Sequence, residues 1–170
     1  MRAQDKAGLK DTGLKDHTTC KEMVRDLLEL VPYEKSDVLL DAGSGKDKVW
    51  FNAFDCALKL EYEISEGRDF LTHNENPDWT IGNPPYHISW LFTEKALKSS
   101  KKGVAWILNL NNLNSLLTPK RLNFAASLGF EITKIHIVQD RRWFGRYFFI
   151  VYEKKDGILS WSNKKYGEVK

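Results

Sequence analysis

Cysteine is scarce in this sequence. Only Cys20 and Cys56 occur among the 170 residues, far apart and without Cys-x-x-Cys spacing. That argues against a disulfide framework or a cysteine-built zinc site, and two reduced thiols of a cytosolic protein are the plain reading. Long apolar runs are missing too. No stretch approaches the roughly 18 apolar residues that a membrane span needs. The opening MRAQDKAGLKDTGLKD lacks an apolar core segment. A soluble, cytoplasmic chain with no membrane partner is therefore expected. Neither sign of charge dominates: 26 Lys and Arg face 23 Asp and Glu, for a net charge of +3. This leans towards a polyanionic partner without demanding one. Internal repeats are absent. What is present, 42% hydrophobic and 29% charged residues, suits one compact domain with a real core. Six tryptophans and nine phenylalanines are many for this length, and some fit a surface that stacks on something flat.

Residues 1–16 are polar, without a sustained period, and read as a mobile arm. A domain is expected over 17–155 and a loose polar tail over 156–170. Thr19-Cys20-Lys21-Glu22 has capping-box spacing. Met23, Leu27, Leu28, Leu30 and Val31 follow at helical spacing and Pro32 stops the run, which predicts a helix on the sheet edge or over its ligand edge. Buried strands are predicted at Ser36 to Ala42 and Val104 to Leu110. An alternating strand is predicted at Ala57 to Ile64, and a short helical stretch at Lys48 to Phe54. Ile88, Leu91, Phe92, Ala96 and Leu97 mark the apolar face of a helix, and Pro119 opens another that Gly129 ends. Asn111 to Leu117 reads as an asparagine-rich loop. Glu131 to Val138 and Tyr147 to Glu153 are strands joined by the short QDRRWFGR loop, which implies an antiparallel hairpin. Strands alternating with helices and closed by a hairpin give an α/β fold, a doubly wound and mostly parallel sheet.

Three places carry chemistry. Asp41-Ala42-Gly43-Ser44-Gly45 follows the first strand. Glycines there allow positive φ and close approach of a ligand to the backbone, although an ordinary tight strand-to-helix turn uses the same residues. Glu63 ends the second strand about twenty residues beyond the glycine turn, the spacing at which a carboxylate accepts ribose hydroxyls in nucleoside-binding sheets. A solvated strand-end glutamate would look the same. In Pro77 to Ile88, PDWTIGNPPYHI, two prolines cannot continue a sheet ladder. The strand must stop at Asn83, leaving a stiff polar and aromatic tip at the edge where open α/β sheets bind ligands. Arg141, Arg142, Trp143, Phe144 and Arg146 interleave cations with aromatics, which suits phosphate contact and base stacking, or simply a loop whose rings cap the core. Asn109, Asn111, Asn112 and Asn114 have amides that can read adenine edges, but loop chemistry explains them equally.

The order DAGSG (Asp41 to Gly45), Glu63-Ile64, Asp69-Phe70 and Asn83-Pro84-Pro85-Tyr86 resembles the S-adenosylmethionine-dependent amino-methyltransferases, specifically the adenine-N6 DNA methyltransferase group. Lys15 to Thr19 looks like a degraded form of the segment that precedes the glycine motif in that family. The resemblance implies a single Rossmann-like class I methyltransferase domain, a mostly parallel twisted sheet with a C-terminal antiparallel hairpin, and S-adenosylmethionine as cofactor. It implies that Gly43 and Gly45, with Asp41 and Ala42, lie along the methionine part of that cofactor. Glu63 and Ile64 would hold the ribose side, and Asp69 and Phe70 the cofactor's adenine. Asn83, Pro84, Pro85 and Tyr86 would be catalytic, with Tyr86, Arg141, Arg142, Trp143 and Phe144 meeting the substrate.

The implied function is methyl transfer to the N6 amine of adenine in DNA. Adenine in RNA is the first alternative, followed by a protein glutamine amide and by a non-catalytic cofactor-binding subunit. Two departures stand out. Asp47 replaces the third glycine of many relatives, and the short segment after Ile64 leaves no room for a helix between the second and third strands. Neither the segment from Gly45 to Asn83 nor the tail is long enough for a target-recognition domain. A catalytic core is therefore expected, with nucleic acid, DNA ahead of RNA, as partner and recognition supplied by a separate specificity subunit or a second copy.

Overall fold

The computed structural model describes residues 19–143 and 145–164. The expected arm at 1–16, the segment from Lys15 to Thr18, Phe144, and the tail from residue 165 lie outside the described residues.

The elements run α1 (Lys21–Leu28), β1 (Val38–Ala42), α2 (Val49–Ala53), β2 (Leu58–Tyr62), β3 (Trp79–Gly82), α3 (Ser89–Ser99), β4 (Gly103–Asn109), α4 (Leu110–Leu116), α5 (Pro119–Ser127), β5 (Glu131–Val138) and β6 (Tyr147–Glu153). Among the described residues one six-stranded sheet has the order β2-β1-β3-β4-β6-β5. The pairs β1–β2, β1–β3 and β3–β4 are parallel. β6 pairs antiparallel with both β4 and β5. The doubly wound sheet and its closing hairpin are thus as the sequence predicts. From β1 the chain goes out to β2, then returns across β1 to β3. Connections leave β1 and β3 in opposite directions, which opens a crevice at their carboxyl ends.

Both faces of the sheet are covered, so the central strands read as continuous apolar runs. On one face Leu40, Trp106 and Ile150 pack with Phe92 and Ala96 of α3, Leu113 and Leu116 of α4, and Leu122 of α5. On the other, Leu39, Ile81, Ile107 and Phe149 pack with Val24 and Leu27 of α1 and with Val49 and Trp50 of α2. Each fully buried Leu, Ile or Phe contributes about 1.5–3 kcal/mol. No helix among the described residues is long and apolar enough to cross a membrane.

Four local readings differ from the structure. Asn111 to Leu117 is not a loop but most of α4: Asn109 Oδ1 accepts from Asn112 N–H at 2.9 Å, capping a helix whose Leu113 and Leu116 are buried. Asparagines at helical spacing had masked the leucines between them. α1 lies on a sheet face rather than on an edge, because Val24, Leu27 and Leu28 form one buried stripe. Its N-cap is Cys20, without a side-chain cap bond, and not Thr19. Part of the expected loose tail is docked: Gly157 N–H donates to Glu131 Oε2 at 2.6 Å, and Trp161 Nε1 to Asn123 Oδ1 at 2.9 Å.

Gly103 has a packing role. A Cβ there would lie 2.0 Å from Trp79 Cζ3, so the indole lies directly over the glycine. Trp79 is 2% exposed and has no room to retreat. Gly103→Ala is expected to destabilise the fold by about 1–3 kcal/mol, the range for overpacking a filled core. Denaturant unfolding checks this, and an unchanged midpoint would show that Trp79 has an alternative seat.

Candidate active site

β1 delivers Asp41 and Ala42 to the carboxyl edge and then turns sharply. Gly43 and Gly45 hold φ of 76° and 66°, left-handed values that an L side chain rarely adopts. The turn is tied to the end of β2: the N–H groups of Gly43 and Ser44 both donate to the Tyr62 carbonyl, at 2.9 and 3.0 Å. Gly45 N–H donates to Glu63 Oε2 at 2.8 Å. Burial pushes the Glu63 carboxyl up, but hydrogen bonds from the Ser65 N–H and hydroxyl and from Gly45 N–H outweigh it and hold it below the ordinary range. Glu63 is therefore an anion at neutral pH, fixed against the glycine turn. Ile64 beside it is 73% exposed.

Across the crevice β3 ends at Gly82 and Asn83 begins the proline tip. Pro84 is buried, and Pro85 caps a short 3-10 turn, Tyr86–Ile88. A Cβ on Gly43 would stand 3.7 Å from Pro85 Cδ and 3.5 Å from Phe92 Cε1, so the proline tip and α3 bound the space beside the glycine turn. Between them lies a cavity of about 210 Å3 lined by Gly43, Ser44, Gly45, Trp50, Thr19 and Asn83. Asp41 sits behind this wall, with no exposure. Its Oδ2 accepts from Phe51 N–H at 3.0 Å, while its Oδ1 has no partner among the described residues. Burial pushes its carboxyl up to about 7, the Phe51 N–H works against the shift, and the nearby Glu63 charge adds to it.

The Tyr86 ring centroid is 6.4 Å from that of Tyr147, which is 4.5 Å from that of Trp143. These rings carry the proline tip across to the β5–β6 loop. There Arg142 lies 5.8 Å from the Trp143 ring centroid and is gripped by Asp140 through Nε and Nη2, the latter at 2.7 Å. Burial raises the Tyr86 phenol strongly, and Tyr147 adds to it, so the phenol stays neutral. Arg141 and Arg146 are exposed on the same loop. Asp69 Oδ1 accepts from Leu71 N–H at 2.9 Å. Phe70 is 2% exposed and stacks on His73 and Phe92, with centroids 4.9 Å apart in each case. Phe70 thus forms the floor behind the crevice rather than an open stacking face. Asn109 and Asn112 are bound to each other at 2.9 Å, and Ser89 Oγ donates to Asn112 Oδ1 at 2.5 Å, which ties the end of β4 to the start of α3.

One cluster escaped the sequence reading. Glu61, with a side chain 7% exposed, accepts from Ser44 Oγ at 2.8 Å and pairs with Lys48 at 3.0 Å and with Arg68. Lys48 and Arg68 also bind Glu66, at 3.0 and 2.7 Å. A buried carboxylate needs such compensation, and this one braces the serine between the two glycines. The only available signal was Glu61 two residues before Glu63, on the same side of the strand.

No family model matches the sequence, and no curated protein does. Solved structures do. A protein from Pyrococcus horikoshii described as an RNA methyltransferase superposes with a TM-score of 0.64 at 17% identity, over 91% of this chain and 98% of that one. This is the Rossmann-like methyltransferase fold. A precorrin-6y C5,15-methyltransferase from Geobacter metallireducens matches with a TM-score of 0.61 at 14% identity, over 83% of this chain and 92% of that one. The 23S rRNA methyltransferase ErmE gives 0.64 at 16% identity, over 86% of this chain and 73% of that one. At such identities the likeness speaks for the methyltransferase fold alone. The glycine turn and the proline tip stand at the switch point of that fold, where its strand order reverses.

Proposed function

We propose that the chain is an S-adenosylmethionine-dependent N-methyltransferase acting on the exocyclic N6 amine of adenine in nucleic acid, with DNA favoured by the motif order. The observation that carries this reading is the single cavity lined by the left-handed turn at Gly43 to Gly45 on one side and by Asn83 of the proline tip on the other. The residues present fit the cofactor. Two glycines leave backbone uncovered, a fixed carboxylate stands at the end of β2, and Ile64 offers an exposed apolar face beside it. Gly43 and Gly45 would hold the methionine part, Glu63 and Ile64 the ribose side, and Asp69, with Phe70 behind it, the adenine side. S-adenosylmethionine, when bound, supplies an electrophilic methyl group on a sulfonium sulfur.

The protein's part is to make a poor nucleophile competent. The lone pair of an exocyclic amine on an aromatic ring is delocalised into that ring. The Asn83 side-chain oxygen and the Pro84 carbonyl can each accept one amine hydrogen, which favours a pyramidal nitrogen with a directed lone pair. Positive charge develops on that nitrogen, so fixed acceptor dipoles serve better than a general base. The two prolines hold the carbonyl and lower the entropy of keeping it in place. Tyr86, a neutral phenol, would stack on a base that has left the duplex.

RNA is the second reading. It is favoured by two of the structural neighbours, whose descriptions name RNA and 23S rRNA. Labelled S-adenosylmethionine offered in parallel to duplex DNA, single-stranded DNA, RNA and protein extract, followed by nucleoside analysis, tests the proposal. N6-methyladenine in DNA or RNA assigns the substrate. Label only in protein, or cofactor binding without transfer to any of them, would overturn it.

Glu63→Ala is expected to weaken S-adenosylhomocysteine binding by about 10- to 100-fold, as loss of a charged hydrogen-bond acceptor predicts. The variant also leaves Gly45 N–H without its acceptor, so part of the loss comes from a looser turn. Titration calorimetry measures it, and an unchanged dissociation constant would remove Glu63 from the ribose site.

A further inference from the structure

A second, larger cleft adjoins the cofactor cavity and has no part in the chemistry above. It has a volume of about 750 Å3 and shares Thr19, Asp47 and Val49 with the smaller cavity. Its lining includes Lys21 and Arg25 from α1 and Arg142 from the β5–β6 loop, against one carboxylate, Asp47. Lys21 and Arg25 are four residues apart on a helix, hence on one face, with Cβ atoms about 5–6 Å apart. Both are exposed, and neither enters an ion pair among the described residues. That sets them apart from Lys35, Lys48, Arg68, Lys98, Lys102 and Lys155, each bound to a carboxylate. Glu22 and Asp26 of the same helix do not line the cleft. Arg142 is held in place by Asp140.

Thr19 adds an independent sign of a ligand. It is 2% exposed and lines both cavities, and its Oγ1 has no hydrogen-bond partner among the described residues. A buried hydroxyl is normally satisfied, so one left open among the described residues at the junction of two cavities suits an acceptor atom of a bound ligand.

We propose that this cleft is the phosphate channel for the strand that carries the target base. Lys21 and Arg25 contact backbone phosphates flanking that base, Arg142 fixes the strand at the β5–β6 loop, and the Thr19 hydroxyl donates to the strand where it leaves the cofactor cavity. This rests on the reading of nucleic acid as the substrate and assigns it a path. The contacts carry no sequence information; they set register and orientation. An α1 helix anchored on the sheet face thereby takes part in holding the substrate strand.

The test is fluorescence anisotropy of a labelled single-stranded adenine-containing oligonucleotide, as DNA and as RNA, across a salt series. The double variant Lys21→Gln/Arg25→Gln is compared with wild type and with Lys101→Gln/Lys120→Gln, two exposed lysines that do not line the cleft. Loss of two phosphate contacts lowers the slope of log K against log salt by about 1.4, at roughly 0.7 per phosphate on a single strand, while the control pair keeps the wild-type slope. An unchanged melting temperature and S-adenosylhomocysteine affinity show that the variant is folded. A wild-type slope in the Lys21/Arg25 variant, or no wild-type binding to either oligonucleotide, overturns the channel. Methyl transfer is scored separately. Transfer to nucleic acid with an unaltered slope sinks the channel and leaves the activity standing. A reduced slope with no transfer by wild type does the reverse. The DNA and RNA arms show which backbone is bound.

Discussion

Asn83→Ala is expected to lower the turnover of methyl transfer to an adenine oligonucleotide by about 100- to 1,000-fold or more, the loss seen when one preorganised polar group is removed from a reacting centre. S-adenosylhomocysteine affinity should stay near wild type. The split follows from where the side chain stands. Asn83 is the first residue beyond β3 and lines the small cavity from the side opposite the glycine turn, while Gly43 and Gly45 line it from the other side, Gly45 being tied to Glu63. On the proposed function its amide would address the acceptor amine at the far wall, and little of the cofactor. The backbone around it is stiff: Gly82 precedes it at full burial, Pro84 is buried, and Pro85 caps the next turn. Truncation at Cβ removes the acceptor without releasing the loop. Single-turnover kinetics with calorimetry on the same preparation give both numbers. Wild-type turnover in the variant would show that the proline tip does not hold the amine, and a parallel collapse of cofactor binding would show that Asn83 belongs to the cofactor.

How much of this was legible in the sequence depended on whether the cause was local. The β5 and β6 strands fall where alternation and turn residues placed them, at Glu131–Val138 and Tyr147–Glu153. The proline tip ends β3 for a reason intrinsic to proline. α4 was hidden because asparagine signals loops, whereas here Asn109 caps the very helix on which Asn111 and Asn114 face solvent. The docking of residues 157–161 needs β5 and α5 already in place. The Glu61, Lys48, Arg68 and Glu66 cluster depends on the register that sets Asp41 of β1 beside Glu61 of β2, which no window of sequence contains. The facing of the glycine turn and the proline tip across one cavity is likewise a product of the β1–β3 pairing. Sequence supplied the two pieces, and the switch point put them together.

The same switch point buries an acid, and Asp41→Asn should change how stability depends on pH. In the unfolded chain an aspartate titrates near 3.9, whereas in the fold burial raises Asp41 to about 7. Below about pH 4 both states hold the proton, and above about pH 7 neither does. Between these limits the native state binds more protons than the unfolded state, so this group's contribution to stability falls as pH rises from about 4 to 7 and is level beyond. A shift of about three units amounts to roughly 4 kcal/mol. Removing the ionisation by Asp41→Asn should therefore flatten that slope, with the variant gaining on wild type by an amount of that order between pH 4 and 8. Subtracting the two profiles cancels the groups that they share. The asparagine keeps an oxygen for Phe51 N–H, but its amide nitrogen replaces an Oδ1 that is buried with no partner among the described residues, so its N–H groups lack an acceptor and a constant penalty is expected at every pH. Denaturant unfolding of both proteins across this range measures the difference. Parallel profiles would mean that Asp41 is already ionised at pH 5 and that its Oδ1 is satisfied in solution. A converging pair would mean that the crevice stores an uncompensated carboxylate at neutral pH, directly behind the wall that a sulfonium is proposed to face.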